Sequence, residues 1–433
     1  MKQLTRRISL LIVCGALATA LVPLVRNNSI SSAAKRPGLI DQTADVNLAL
    51  TQPDKFNWGL LIQISQRAPD ELQTNVKLAN GQTVKTNNAL WETWADDPFT
   101  FPGFRKVYPA PDPQNPPKWQ DRNKQPKKLE PILQQELKTQ RSATAQQKLG
   151  AQVALNGTEE VRRNQSAFDF IISRNLWYRE GQKCAFSKGV DAEGYPNGVK
   201  IDFPPDAIEV KAVWKAINES DKPNYHWNYD GQGALYGLTG LHIISKTLPN
   251  WTWVTFEWVG NPGRCDWMGC HDAFGVTPAN VAPAFPQGLP YPAGTLTPGL
   301  MQMFKDGGFD SDWLAQWQNY RLKGSQIDFT DTAGKPILVG NSITEDGFVQ
   351  TSSCMTCHVN AAVDSTGRAN QSIGFTPDDQ SRNGPIDPGW FFDLNTWDRT
   401  KTNYRLNYYP MDFIWAIFRA QPVAQGKPIP PCT

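Results

Sequence analysis

The sequence predicts an α+β fold, with an antiparallel, β-rich N-terminal and central domain, peripheral helices, and a mainly helical, loop-rich C-terminal region. Three observations predict it. Residues 208–214, 238–244 and 251–258 are rich in Ile, Leu, Val and Trp and alternate in the manner of strands. The last two lie too close together for a crossover helix, which makes them antiparallel neighbours. Proline supplies 34 of 433 residues, too many for a chain made mostly of packed helices. Hydrophobic residues are 40% of the chain and charged residues 19%, which supports a sizeable core and excludes a disordered chain.

In chain order, Lys2, Arg6 and Arg7 precede an apolar run over residues 8–25, the pattern of an export signal. Ala18-Thr19-Ala20 offers a cleavage site, and the apolar residues 21–25 beyond it leave a retained membrane anchor as the alternative. Either version exports the body of the chain, to a periplasm or an equivalent lumen. Residues 26–45 read as a linker. Residues 53–68 read as a first helix, with Phe56, Leu60, Leu61 and Ile64 on one face, and 88–95 as a short second one. Residues 109–152 are rich in Pro, Gln and Lys and read as a loop followed by an exposed helix over 131–148. A helix is predicted over 158–175, opened by the acidic pair Glu159 and Glu160. The strands follow. Pro- and Gly-rich sequence over 276–299 then separates a domain at 46–299 from a region at 300–433, with helices expected at 310–320 and 411–420. No internal repeat appears.

Lys and Arg number 43 against 41 Asp and Glu, a net charge of +2. The basic run near 124–128 is too short for a nucleic-acid footprint, so no nucleic-acid partner is expected. Membrane contact is expected only through an uncleaved N-terminal segment.

The chain has seven cysteines, and cleavage of the leader would remove Cys14. Cys354-Met355-Thr356-Cys357-His358 is a C-x-x-C-H sequence, the attachment signature of c-type haem. Thiols three positions apart can form thioethers to the two vinyl groups of the macrocycle, and His358 then serves as the proximal iron ligand. This composition would show the motif by chance in roughly one chain per thousand. A redox disulfide and a zinc site are the competing readings of the pair. A second cluster, Cys265-Asp266-Trp267-Met268-Gly269-Cys270-His271, has the C-x4-C-H spacing of a rarer attachment variant. It predicts either a second haem with His271 as ligand or a local disulfide between Cys265 and Cys270. Cys184 and Cys432 are left over and are expected to pair. The outer iron position is open between His242, in the apolar stretch Gly240-Leu241-His242-Ile243-Ile244, Met411, 53 residues beyond His358, and no protein ligand at all, which would favour substrate chemistry.

The stretches 168–181, 208–214, 240–257 and 353–358 together resemble exported bacterial proteins of the cytochrome c family. The resemblance implies one haem motif near the C-terminus, and no established substrate. The first function expected is therefore electron transfer to a redox partner protein. The alternative is a haem-dependent oxidoreductase whose substrate site is built by the β-rich domain. The third reading is a disulfide-stabilised binding protein without haem. No Ser-His-Asp arrangement, H-E-x-x-H motif or Gly-rich nucleotide loop marks an enzyme.

Overall fold

A computed structural model describes residues 45–123, 129–131, 158–283, 288, 290–345, 348–369 and 383–432. The export segment, nearly all of the linker and all but the first residue of the helix expected over 131–148 lie outside them. The described residues contain helices and antiparallel sheets, the α+β class read from the sequence.

Eight strands make the central sheet: β1 (Ala95–Asp96), β2 (Glu130–Pro131), β3 (Thr158–Arg163), β4 (Ile208–Ala216), β5 (Trp227–Tyr229), β6 (Leu235–Ser245), β7 (Thr252–Trp258) and β8 (Tyr320–Gln326). Their order is β8-β7-β6-β4-β3-β1, with β2 pairing β3 and β5 pairing β6, all antiparallel. The register sorts side chains onto two faces, because successive residues of a strand point opposite ways. Val210, Ile243 and Val254 align across one face, with Ala212, Leu241, Phe256 and Leu322 beside them. This face packs under α1 (Val46–Thr51), α2 (Pro53–Ile64), α5 (Pro298–Asp306) and α6 (Ser311–Trp317). Each large side chain buried there contributes about 1.5–3 kcal/mol before conformational entropy is counted. The opposite face aligns Val161, Lys211, His242, Thr255 and Gly324, with Glu209, Ile244, Trp253 and Gln326 in the next row. It is covered by the C-terminal residues together with α3 (Gln165–Ser173) and α4 (Arg179–Gly189). Residues on both sides of 299 thus share one sheet and one core cluster: α5 begins at the end of the Pro- and Gly-rich stretch, α6 and β8 lie beyond it, and all three pack with α2.

Cys184 of α4 is bonded to Cys432, with Cα atoms 5.4 Å apart, as expected. The tail leading to it is pinned on the way: Val423 donates its amide to Glu180, Ala424 to the Pro111 carbonyl, and Lys427 pairs with Asp112.

One local motif recurs four times, at Asp191, Asp230, Asp331 and Asp364. In each Asp-x-x-Gly turn the aspartate carboxylate accepts the amides two and four residues on. The glycine three residues on holds a left-handed φ of 76° to 90°. This is the three-residue hairpin loop in which glycine removes the Cβ clash. Two of these glycines give a graded test. A Cβ on Gly334 would meet nothing within 4 Å, whereas one on Gly367 would lie 2.3 Å from the Arg179 carbonyl oxygen of α4. Gly334→Ala is expected to cost about 1–2 kcal/mol, the backbone term alone. Gly367→Ala is expected to cost about 1–3 kcal/mol more, from the clash. Urea unfolding midpoints check the ranking, and equal costs would refute it.

Three helix expectations need correction. Residues 158–163 are strand β3, not the first turn of a helix, because they pair along β4. Glu159 and Glu160 do not complement a helix dipole; they pair with Lys211 and Arg162. The helix starts later, where Asn164 caps the Ala167 amide. Residues 88–95 hold only a 3-10 turn, Leu90–Thr93, before β1. Residues 411–420 form no α-helix, because Asp412 and Phe413 have φ of 49° and 69°; only a 3-10 turn, Trp415–Arg419, follows. Among its described residues the C-terminal region expected at 300–433 is loop-rich but not mainly helical: it holds most of α5, all of α6, and α7 (Cys354–Val359).

Candidate haem centre

Helix α7 is built around the C-x-x-C-H sequence and is fastened to the second face of the sheet. Gln326, the last residue of β8, accepts the Met355 amide at 3.0 Å and donates to the Ser353 hydroxyl at 2.9 Å. Thr356 donates to the Gly384 carbonyl at 2.7 Å, and Asn360 to the Thr356 carbonyl at 2.8 Å. Met355, Thr356, Val359 and Asn360 are buried, while Cys354, Cys357 and His358 are only partly so. Positions i, i+3 and i+4 of a helix share a face. Both thiols and the imidazole therefore lie on the partly open side of α7.

His358 lies 4.6 Å, ring to ring, from Trp253 of β7 and 6.0 Å from Trp415. Its Nδ1 is 2.9 Å from the Phe413 carbonyl, which can only accept, so Nδ1 carries the proton and Nε2 keeps its lone pair. Burial, with Lys211 and His242 adding to it, pushes its pKa down to about 3 against the pull of the Phe413 carbonyl. The ring is thus neutral at ordinary pH, the form that binds iron. Cys354 and Cys357 are free of disulfides. Burial, with Glu345 and Cys357 adding to it, pushes the Cys354 thiol well above its ordinary value. A redox-active C-x-x-C pair needs the opposite shift. Among the described residues, no three His, Cys, Asp or Glu side chains converge to hold a metal ion such as zinc.

The second cluster is different. Cys265 and Cys270 are disulfide-bonded, with Cα atoms 5.1 Å apart. This is the local disulfide given as one of the two alternatives for the pair, and it occupies both sulfurs. His271 instead meets Asn280 through Nδ1 at 2.6 Å and faces Asp54 at 3.5 Å.

Beside α7 the sheet offers a partly buried polar row in which His242 joins Lys211 and Glu345, two residues the sequence reading did not single out. Lys211 pairs with Glu159 at 3.2 Å; burial lowers its pKa, but Glu159 and Glu345 outweigh that and keep it charged. His242, next to Lys211 in register, meets the Thr255 hydroxyl through Nδ1 at 2.9 Å and lies 3.3 Å from Glu345 through Nε2. Burial pushes the Glu345 carboxyl up, but His242, Lys211 and the Asn341 amide outweigh it and hold it down. Met411 is fully buried, with its amide on the Ala361 carbonyl at 2.8 Å. The fourth histidine, His226, is remote in role: it is buried against Glu92 at 2.5 Å and stacked on Trp317. The only signal for the polar row was Glu209 and Lys211 set in an apolar strand, which reads equally as a solvent face.

No family model matches the chain, and no curated protein or solved structure matches it.

Proposed function

We propose that this chain is an exported c-type cytochrome that holds one haem through Cys354 and Cys357, with His358 as proximal ligand, and transfers electrons. The observation that carries the reading is the shared face of α7. Two thiols outside any disulfide and a neutral imidazole project from it together, with the imidazole's Nδ1 already committed to a carbonyl. Such a backbone bond orients a metal-binding histidine and raises its basicity. The described cysteines outside the motif, four in all, are in disulfides, as suits an oxidising compartment. When bound, the haem supplies a one-electron Fe(III)/Fe(II) couple. The chain's own residues would hold the group through Cys354, Cys357 and the His358 imidazole, with Lys211 and Glu345 setting the charge near that imidazole and Trp253 and Trp415 packed against it. Among the described residues no helix is long and apolar enough to cross a membrane; contact with one is proposed only through the N-terminal segment.

A second reading, a haem-dependent oxidoreductase, draws support from the Lys211, His242 and Glu345 row, since partly buried titratable groups beside a cofactor can serve proton transfer. A pyridine haemochrome assay with intact mass on the exported protein tests the haem itself. One covalent haem per chain is expected. A protein of unmodified mass with no haem absorption leaves the disulfide-stabilised binding protein as the better reading.

A further inference from the structure

We infer that Asp412 is the positioning residue of the proximal histidine, and that it acts through the Phe413 carbonyl; this rests on the haem reading above. Nδ1 of His358 donates to that carbonyl at 2.9 Å. An uncommon turn aims the carbonyl there. The Ile414 amide returns to the Met411 carbonyl at 3.2 Å, and the two residues between them, Asp412 and Phe413, have φ of 49° and 69°. Two consecutive residues with positive φ are the pattern of a type I′ turn, whose usual occupants are Asn-Gly or Asp-Gly. Aspartate tolerates the left-handed region, but a phenylalanine is held there against its preference. Backbone strain of this kind persists only where the surroundings over-determine it, and it clusters at functional positions.

The Asp412 carboxylate, 7% exposed, supplies the hold. Its Oδ1 accepts from Lys246 at 2.6 Å and from Trp251 Nε1 at 3.3 Å, and its Oδ2 accepts the Phe203 amide at 2.7 Å. Lys246 is anchored in turn by the Pro249 carbonyl at 2.9 Å and by Asp202 at 3.1 Å. Lys246 and Trp251 lie in the connection between β6 and β7, so the carboxylate ties the turn to the sheet. Trp253, near the start of β7, packs 4.6 Å from the His358 ring and 5.9 Å from the Phe413 ring. On the other side of the turn, the Met411 amide is held at 2.8 Å by the carbonyl of Ala361, three residues after His358. The turn is thus fixed to the sheet by Asp412 and to the end of α7 by Met411, and the Phe413 carbonyl comes to rest at Nδ1.

Asp412 spends its carboxylate on Lys246, Trp251 and Phe203, so it acts on the imidazole through the backbone it shapes. A carbonyl on Nδ1 makes the imidazole a more basic ligand. A more basic axial ligand favours the ferric state, so loosening the turn raises the midpoint potential.

The test uses the full exported chain with its haem and reads the midpoint potential by spectroelectrochemical titration. Asp412→Asn removes a negative charge from the clamp, and Lys246→Met removes a positive one. Charge alone would move the potential up in the first and down in the second. Loosening of the turn is expected to move it up in both, by about tenfold in the ferric-to-ferrous preference, about 59 mV for a one-electron couple. Trp251→Phe removes one donor and no charge, and is expected to shift the potential the same way by less. It stands in where the charge variants do not fold. A potential at or below the parent's in haem-bearing Lys246→Met leaves Asp412 a structural residue and overturns the inference alone. So does the parent's potential in Trp251→Phe when neither charge variant folds. A parent without covalent haem overturns the haem reading and this one with it.

Discussion

On the haem reading proposed above, replacing Cys354 and Cys357 together with Ala is expected to abolish haem that survives denaturing electrophoresis. The expected loss is complete, because only the two thioethers outlast unfolding; the bond from iron to His358 does not. Each single variant should retain one thioether and a reduced stain. The control is the pair Cys265→Ala and Cys270→Ala. Those sulfurs are bonded to each other, so their removal should leave haem content unchanged while loosening the loop they close. Staining that persists in the first double variant and vanishes in the second would reverse the assignment.

Arg163→Met is expected to destabilise the fold by about 3–5 kcal/mol, the range for removing one partner of a buried charge cluster. Arg163 is fully buried in β3 and reaches four partners. It pairs with Asp97, lies 3.3 Å from Glu209, donates to the Thr100 hydroxyl at 2.5 Å and meets the Asp96 carbonyl at 3.2 Å. Its loss leaves Glu209 and Asp97 buried, with Arg419 still paired to Asp97. Urea unfolding measures the cost, and a variant within about 1 kcal/mol of the parent would show the cluster to be inert. The same cluster predicts a pH slope. Burial, aided by Asp97 and opposed by Arg163 and Arg419, pushes Glu209 up to about 7 from its ordinary 4.5. A carboxyl with a raised folded pKa binds its proton more tightly when folded. Its contribution is therefore full below 4.5 and is lost as pH rises through 7. Glu209→Gln, which cannot ionise, should flatten the decline of stability across that window, and an unchanged slope would assign the decline elsewhere.

The three strands at the middle of the sheet were legible because their apolar periodicity is local: β4, β6 and β7 fall within a few residues of the runs read from sequence. Strand β3 was not. Glu159 and Glu160 are common at helix starts, and only pairing with β4 turned that segment into strand. The Asp-x-x-Gly turns were legible in principle, since both the capping carboxylate and the left-handed glycine are encoded within five residues. They are too short to register as repeats. The helix expected over 411–420 failed for a tertiary reason: Asp412 is drawn to Lys246 and Trp251, and the backbone turns left-handed to let it.

The sequence by itself determined the chemistry of α7. Two cysteines and a histidine at positions 354, 357 and 358 share a helical face in any helix, because the 3.6-residue period makes it so. It also determined that Cys184 and Cys432 were the pair left for each other, by elimination. Tertiary structure alone decided what stands opposite that face. Glu209 and Lys211 alternate with apolar residues as they would on a solvent-facing strand, and nothing local tells a wet face from one covered by a distant segment. Contacts from Gln326, Glu345 and Phe413 bring that cover into place across large separations in the chain. Whether an imidazole such as His242 carries its proton on one nitrogen or the other is likewise a matter of its neighbours: Thr255 is adjacent only through strand register, and Val339 only through the loop that follows β8.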